Sequence, residues 1–183
     1  RAVALCEAGG YQQWLAHARV LRDRLLAALG DLDAGLAEMT RGDAQWTATG
    51  AVVTRPFYAV LRAEGLAQAG RPDEALPLVA EAHALIGRHG ERYFEPEVQR
   101  MMGVLLLQSG RGPAEALPWL EDAVATAQSL QLPGLALRAA LALAPVWAEA
   151  GRRDEAAALV RRSLGEVVGG AGTLDVVRGR EML

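Results

Sequence analysis

The sequence predicts an all-α fold built as about four helix pairs in a repeat array, followed by a short C-terminal helix. Two observations predict it. Alanine and leucine dominate a chain of 183 residues that is 51% hydrophobic. Both are strong helix formers, and valine is the one common β-branched residue. The second observation is a short motif that returns at nearly constant spacing: Gly30-Asp31-Leu32-Asp33-Ala34-Gly35-Leu36, Gly70-Arg71-Pro72-Asp73-Glu74-Ala75-Leu76, Gly110-Arg111-Gly112-Pro113-Ala114-Glu115-Ala116-Leu117 and Gly151-Arg152-Arg153-Asp154-Glu155-Ala156-Ala157. The leading glycines are 40, 40 and 41 residues apart, and Gly112 is the one insertion within the motif.

Each copy reads as a helix–turn–helix corner. The glycine supplies the left-handed conformation that ends one helix. Pro72 and Pro113 suit the first turn of the next, where a missing N–H costs little. Asp73, Glu74, Asp154 and Glu155 then lie at the positive end of that helix dipole. The alanine that follows lets two helices approach closely.

The elements follow in order. Helices are predicted over about 11–29, 32–47, 54–69, 72–89, 93–109, 113–130, 134–150 and 153–167. Apolar residues recur at three- and four-residue steps through 59–67, as they do at Met102, Leu105, Leu106 and Ser109, and at Leu143, Val146 and Trp147. Beyond the corners, Leu76, Val79, Ala80 and His83 form one stripe, and Leu117, Leu120, Val124 and Ala127 another. Pro77 and Pro118 are expected to kink or tighten a first turn without breaking the helix, and Pro145 to bend its helix. Gly169-Gly170-Ala171-Gly172 is a connecting loop, after which Thr173 caps a last helix over 174–183. The array therefore occupies 1–168, with repeats at about 11–48, 54–89, 92–131 and 133–168, and 169–183 forms the loop and capping helix.

Composition narrows the function classes. All 19 basic residues are arginine; lysine and asparagine are absent and Ile86 is the one isoleucine, a bias expected of a GC-rich bacterial genome. A net charge of −3 argues against direct nucleic-acid contact. No apolar run approaches the ~18 residues of a membrane span, and Leu135 to Ala148 is interrupted by Arg138 and Pro145. The single cysteine, Cys6, leaves no internal disulfide framework and fits a cytoplasmic protein. The opening Arg1-Ala2-Val3 lacks the form of a signal peptide and suggests a fragment of a longer chain.

No chemistry-bearing constellation stands out. Without lysine there is no phosphate-binding loop of the Gly-x-x-x-x-Gly-Lys type. His17, His83 and His89 lack metal-ligand spacing, so no metal, no cofactor and no catalytic residue is expected. His17 either lines a ligand groove or lies partly exposed on the surface. Glu91, Arg92, Glu95, Glu97 and Arg100 form a mixed-charge run: a solvated face with i,i+3 and i,i+4 pairs, or part of a groove for a peptide or charged ligand. Trp14, Trp46, Trp119 and Trp147 are inter-helix core or ligand stackers.

A helix pair with Gly-x-x-x-Glu-Ala corners resembles the tetratricopeptide (TPR) repeat, whose period is about 34 residues. The family's small residue falls on Gly103, its aromatic on Trp147 and its next alanine on Ala75, Ala116 and Ala156, while Gly35 and Gly42 stand where copy one should carry alanines. Over nearly the whole chain the sequence is similar to the C-terminal TPR region of large bacterial signalling ATPases, those with an adenylate/guanylate cyclase domain or a LuxR-type helix-turn-helix. The similarity lies in 90–103, in Leu137-Arg138-Ala139-Ala140, in Gly172-Thr173-Leu174-Asp175, and in Trp14-Leu15-Ala16 and Arg55-Pro56-Phe57-Tyr58. It implies an α–α superhelix whose first helices line a concave groove. Counting from the corner glycines, the groove residues are His17, Val20 and Arg24; Phe57, Val60, Glu64 and Gln68; Glu97, Arg100, Val104 and Gln108; and Arg138, Leu141 and Glu149.

That mixture of arginines, carboxylates and apolar side chains suits a protein or peptide segment, or another domain of the parent chain, better than a polyanion. The implied role is a non-catalytic regulatory and interaction module, with an inducer-binding small-molecule sensor as the alternative. Charge reversal at Arg100 and Arg138 is expected to weaken partner binding without unfolding the domain.

Overall fold

In the computed structural model the backbone is described for residues 1–28 and 31–183, and the side chains for 1–21 and 31–183. The corner glycine Gly30 and the side chain of the groove candidate Arg24 lie outside what is described. The described residues form helices and connecting turns, with no strand. The helices are α1 (Ala2–Gly9), α2 (Gln12–Ala28), α3 (Leu32–Ala48), α4 (Arg55–Gln68), α5 (Pro72–His89), α6 (Glu95–Gln108), α7 (Pro113–Ser129), α8 (Pro133–Glu149), α9 (Arg153–Glu166) and α10 (Leu174–Glu181). None of them is long and apolar enough to cross a membrane. The fold is all-α, and its helices pack consecutively in adjacent pairs.

Two compact units divide the chain, Arg1–His89 and Gly90–Leu183. In the first, α2 pairs with α3 and α4 with α5; α1 lies on α2, and α2 also touches α4. In the second, α6 pairs with α7 and α8 with α9; α6 also touches α8, and α10 packs on both α8 and α9.

The corners take the form the motif predicts. Gly70, Gly110 and Gly151 have φ of 72°, 74° and 84°. After each, the next N–H reaches back to close the helix: Arg71 N–H to Leu66 C=O at 2.9 Å, Arg111 to Leu106 at 3.0 Å, Arg152 to Trp147 at 2.8 Å. The glycine N–H bonds the carbonyl one residue later, at Ala67, Leu107 and Ala148. This is the Schellman arrangement, which satisfies carbonyls that a helix end leaves orphaned. Pro72 and Pro113 open α5 and α7 as expected.

Three details differ from, or add to, the sequence expectation. The helix α1 precedes the first expected one; it too ends in a left-handed glycine, Gly10, with Tyr11 N–H on Cys6 C=O at 3.0 Å. Only eight residues long and with none of them buried, it offers no stripe to read. The helices run on through Pro77, Pro118 and Pro145 without interruption. All three prolines are exposed, so their rings lie away from the packed face. At α10, Thr173 holds the N-cap position, but its hydroxyl donates to Gly170 C=O at 2.8 Å rather than accepting from the helix.

Two glycines fix the closest helix approaches. A Cβ on Gly42 of α3 would lie 2.7 Å from Val20 Cγ2 and 3.3 Å from the Ala16 carbonyl of α2. A Cβ on Gly103 of α6 would lie 2.5 Å from Leu120 Cγ and 3.2 Å from the Ala116 carbonyl of α7. Around them sit two apolar clusters. Ala16, Val20, Met39, Trp46 and Tyr58 form one, and Leu120, Ala123, Val124, Ala139, Ala140, Leu143, Val146 and Leu159 the other.

Candidate functional site

In the first unit the candidate site is built on His17 of α2. Its Nδ1 lies 2.7 Å from the hydroxyl of Tyr58, on α4. Tyr58 is fully buried, and its ring is 5.8 Å from those of His17 and of Trp46. Trp46 donates its indole N–H to Val53 C=O at 2.8 Å, which satisfies its polar edge within the core. Trp14 meets the His17 ring edge-on at 6.1 Å but is 62% exposed. Partial burial lowers the His17 pKa below its ordinary 6.5 and raises that of the Tyr58 phenol. Both shifts favour the neutral form of each group at pH 7.

An open trough of about 460 Å³ lies beside this cluster, lined by Val3, Cys6, Trp14, His17, Ala18 and Leu21 among others. Its walls come from Arg1, α1 and the N-terminal half of α2. They are mostly apolar, with the His17 imidazole as one polar edge.

The second unit holds an ion network instead. Glu97, on α6, is 3% exposed, and burial of a lone carboxylate is costly. Two arginines offset that cost. Arg100, one turn along α6, donates from Nη2 at 3.0 Å and from Nε at 3.2 Å to Glu97 Oε2. Arg138, on α8, donates from Nη1 to the same oxygen at 3.3 Å and from Nε to Asp175 Oδ2 of α10 at 3.1 Å. Burial opposes the Arg138 charge, but Glu97 and Asp175 outweigh it and hold its pKa above the ordinary value. The network thus crosses three helices.

The groove candidates separate into three groups. Val20 and Val60 are buried core residues, at 0% and 2% exposure, and are corrected from groove to core. Glu97 and Arg100 are likewise buried. A carboxylate at position 100 would therefore face Glu97 at a buried position, so charge reversal there bears on folding as well as on any partner. The middle group is half-buried: His17, Phe57, Glu64, Val104, Arg138 and Leu141. Phe57 packs against the first core, Val104 against the second, and Leu141 against Ala144, Ala156 and Val160. Gln68, Gln108 and Glu149 are exposed, each at the last residue of its helix.

Tyr58 and Asp175 complete these contacts and were not among the sequence candidates. A signal for Tyr58 exists: it follows His17 by 41 residues, as Arg138 follows Glu97. Positions one repeat apart on successive first helices meet side by side, so such pairs can be sought at the repeat spacing.

Among the tryptophans, Trp46 is core, while Trp147 is half-buried, donates to Glu121 Oε1 at 3.0 Å and carries the Arg152 guanidinium 4.0 Å above its ring. Among the described residues no group of three or more His, Cys, Asp or Glu side chains is placed to hold a metal ion. No protein-family model matches the chain, and no curated protein does.

Proposed function

We propose that the chain is a non-catalytic interaction module that binds a protein segment through the first helices of its pairs. Its setting would be a larger bacterial signalling or transcription-regulating ATPase acting in the cytoplasm, whose own effector domain could supply that segment. The observation that carries the binding role is the trough beside His17. Trp14 is 62% exposed and Leu21 38% exposed on its rim, whereas the other described large apolar side chains of α2 and α4 are mostly covered. An exposed tryptophan beside a neutral histidine suits an apolar or aromatic anchor side chain, with the imidazole fixing its orientation. The TPR resemblance supports the wider setting.

A small-molecule inducer is the second reading, favoured by the trough volume, which falls within the roughly 300–1,000 Å³ range of ligand pockets. A panel of labelled peptides and a metabolite thermal-shift screen on the same protein separate the two. Saturable peptide binding that falls at least tenfold in Trp14→Ala, with unchanged melting, is the expected result. A saturable rise in melting temperature with a metabolite alone replaces the peptide with an inducer. Equal peptide affinity of wild type and Trp14→Ala overturns the trough assignment.

A further inference from the structure

The C-terminal helix α10 is held on the second unit by few contacts. It is eight residues long and buries Val176 and Gly179. Leu174 is 61% exposed and Val177 37% exposed, so its apolar side chains are not all used. A helix of this length has no stability of its own in water, so it is helical because it is docked. Before it runs Val167-Val168-Gly169-Gly170-Ala171-Gly172, in which Val168 is 98% exposed and Gly169 and Gly170 have φ of 82° and 63°. Such a connection gives a hinge at little conformational cost.

Docking is also incomplete. A cavity of about 430 Å³ lies between the hinge and α8, lined by Leu135, Leu137, Arg138, Val168, Leu174 and Asp175 among others. The tie across it is the Asp175–Arg138 ion pair, and the Arg138 side chain is 42% exposed. Arg138 uses Nε and Nη1 for Asp175 and Glu97, out of five N–H donors that a guanidinium carries. Behind it, Glu97 already has Arg100. When α10 leaves, Arg138 loses its Asp175 partner, and the face it exposes, with Leu137, Leu141 and Leu164 close to the Gly179 position, is apolar. Arg138 and Leu141 are residues that the TPR resemblance assigns to the groove.

We propose that α10 is a displaceable autoinhibitory strap: it occupies a docking face on α8 and α9 with Asp175 on Arg138, and a partner segment presenting a carboxylate next to a β-branched residue takes its place. The strap itself defines that chemistry, since Asp175 meets the guanidinium while the adjacent Val176 is buried. The proposal rests on the interaction-module role argued above, but concerns the second unit and is tested without the trough.

The test uses the full chain, Asp175→Asn and, as a second variant, Asp175→Arg, with a fluorescein-labelled peptide copying residues 172–183 as the probe. Amide hydrogen exchange within 174–181 rises about tenfold in Asp175→Asn, the size expected for losing one charge-assisted hydrogen bond, while α8 and α9 keep their protection. The peptide binds Asp175→Asn about tenfold more tightly than wild type, because the internal competitor is weaker. Adding Arg138→Gln to Asp175→Asn removes that gain. Unchanged exchange over 174–181 in both variants, or exchange that rises equally in α8 and α9, makes α10 a fixed cap and overturns the strap. Opening without a gain in peptide affinity, or a gain insensitive to Arg138, overturns the docking face. Neither failure touches the Trp14 experiment, so the two proposals fail separately.

Discussion

His17 Nδ1 and the Tyr58 hydroxyl stand 2.7 Å apart across 41 residues of chain, the length of one repeat. The contact places a titratable ring at the seam between two helix pairs. The folded state holds the neutral imidazole, because burial lowers the His17 pKa below 6.5. At a pH well above 6.5 both folded and unfolded chains are neutral there, and the contribution of this group to stability is complete. As pH falls through 6.5 the unfolded chain takes up a proton that the folded chain does not, so stability declines until the folded pKa is reached. A ring-proton NMR titration is expected to give a His17 midpoint below 6.5. Denaturation midpoints between pH 7.5 and 5.5 are expected to fall less steeply in His17→Gln than in wild type. A His17 midpoint at or above 6.5 contradicts the placement.

Gly103 and Gly42 test the helix-pair packing. Alanine at either site must push Leu120 or Val20 aside in a packed core, at a cost of about 1–3 kcal/mol. Ala116, fully buried in the same corner, behaves likewise when enlarged to leucine. Gly87, inside α5 with nothing within 4 Å of an added Cβ, is the control. Alanine there is expected to stabilise by roughly 0.5–1 kcal/mol. Urea denaturation of the four variants checks the order; equal melting of Gly103→Ala and Gly87→Ala contradicts it.

Glu97 is the keystone of the ion network. Its removal as Glu97→Gln takes the shared carboxylate from Arg100 and Arg138, and the expected loss is roughly 1–3 kcal/mol. Arg138→Gln costs less, because its side chain is 42% exposed and Arg100 still pairs Glu97. Denaturant unfolding of the two variants, followed by helix content, measures the difference.

Gln131 closes α7 where other helices use glycine. Its φ is +56°, while Leu132 N–H reaches Ala127 C=O at 2.9 Å in the same Schellman pattern as the glycine corners. A side chain in that conformation costs about 1–2 kcal/mol, so Gln131→Gly is expected to recover up to roughly 1 kcal/mol after the entropy of the glycine is counted. Calorimetry that shows a lower melting temperature for this variant counts against the assignment.

The helices and their corners were legible in the order of residues. Glycine at 70, 110 and 151, proline at 72 and 113 and the acidic residues just beyond them act through their own backbone and the first turn of the next helix. Such signals are local, so no knowledge of neighbouring helices is needed to read them. The corner after α7 lacked that signal, because Gln131 stands where a glycine would have announced it. Its left-handed conformation accompanies the two backbone bonds that close α7, from Leu132 N–H to Ala127 C=O and from Gln131 N–H to Gln128 C=O.

Which polar side chains become internal was settled only when the helices came together. In the sequence Glu97 and Arg100 read as a solvated face or as part of a groove, Arg138 as a groove residue, and Asp175 has no assigned role; their ion network forms only when α6, α8 and α10 are assembled. The physical reason is that an ion network depends on distances between helices, which residue spacing constrains only through the repeat length. That length did place His17 opposite Tyr58 and Glu97 opposite Arg138, but the burial that makes those pairs matter comes from the packing around them.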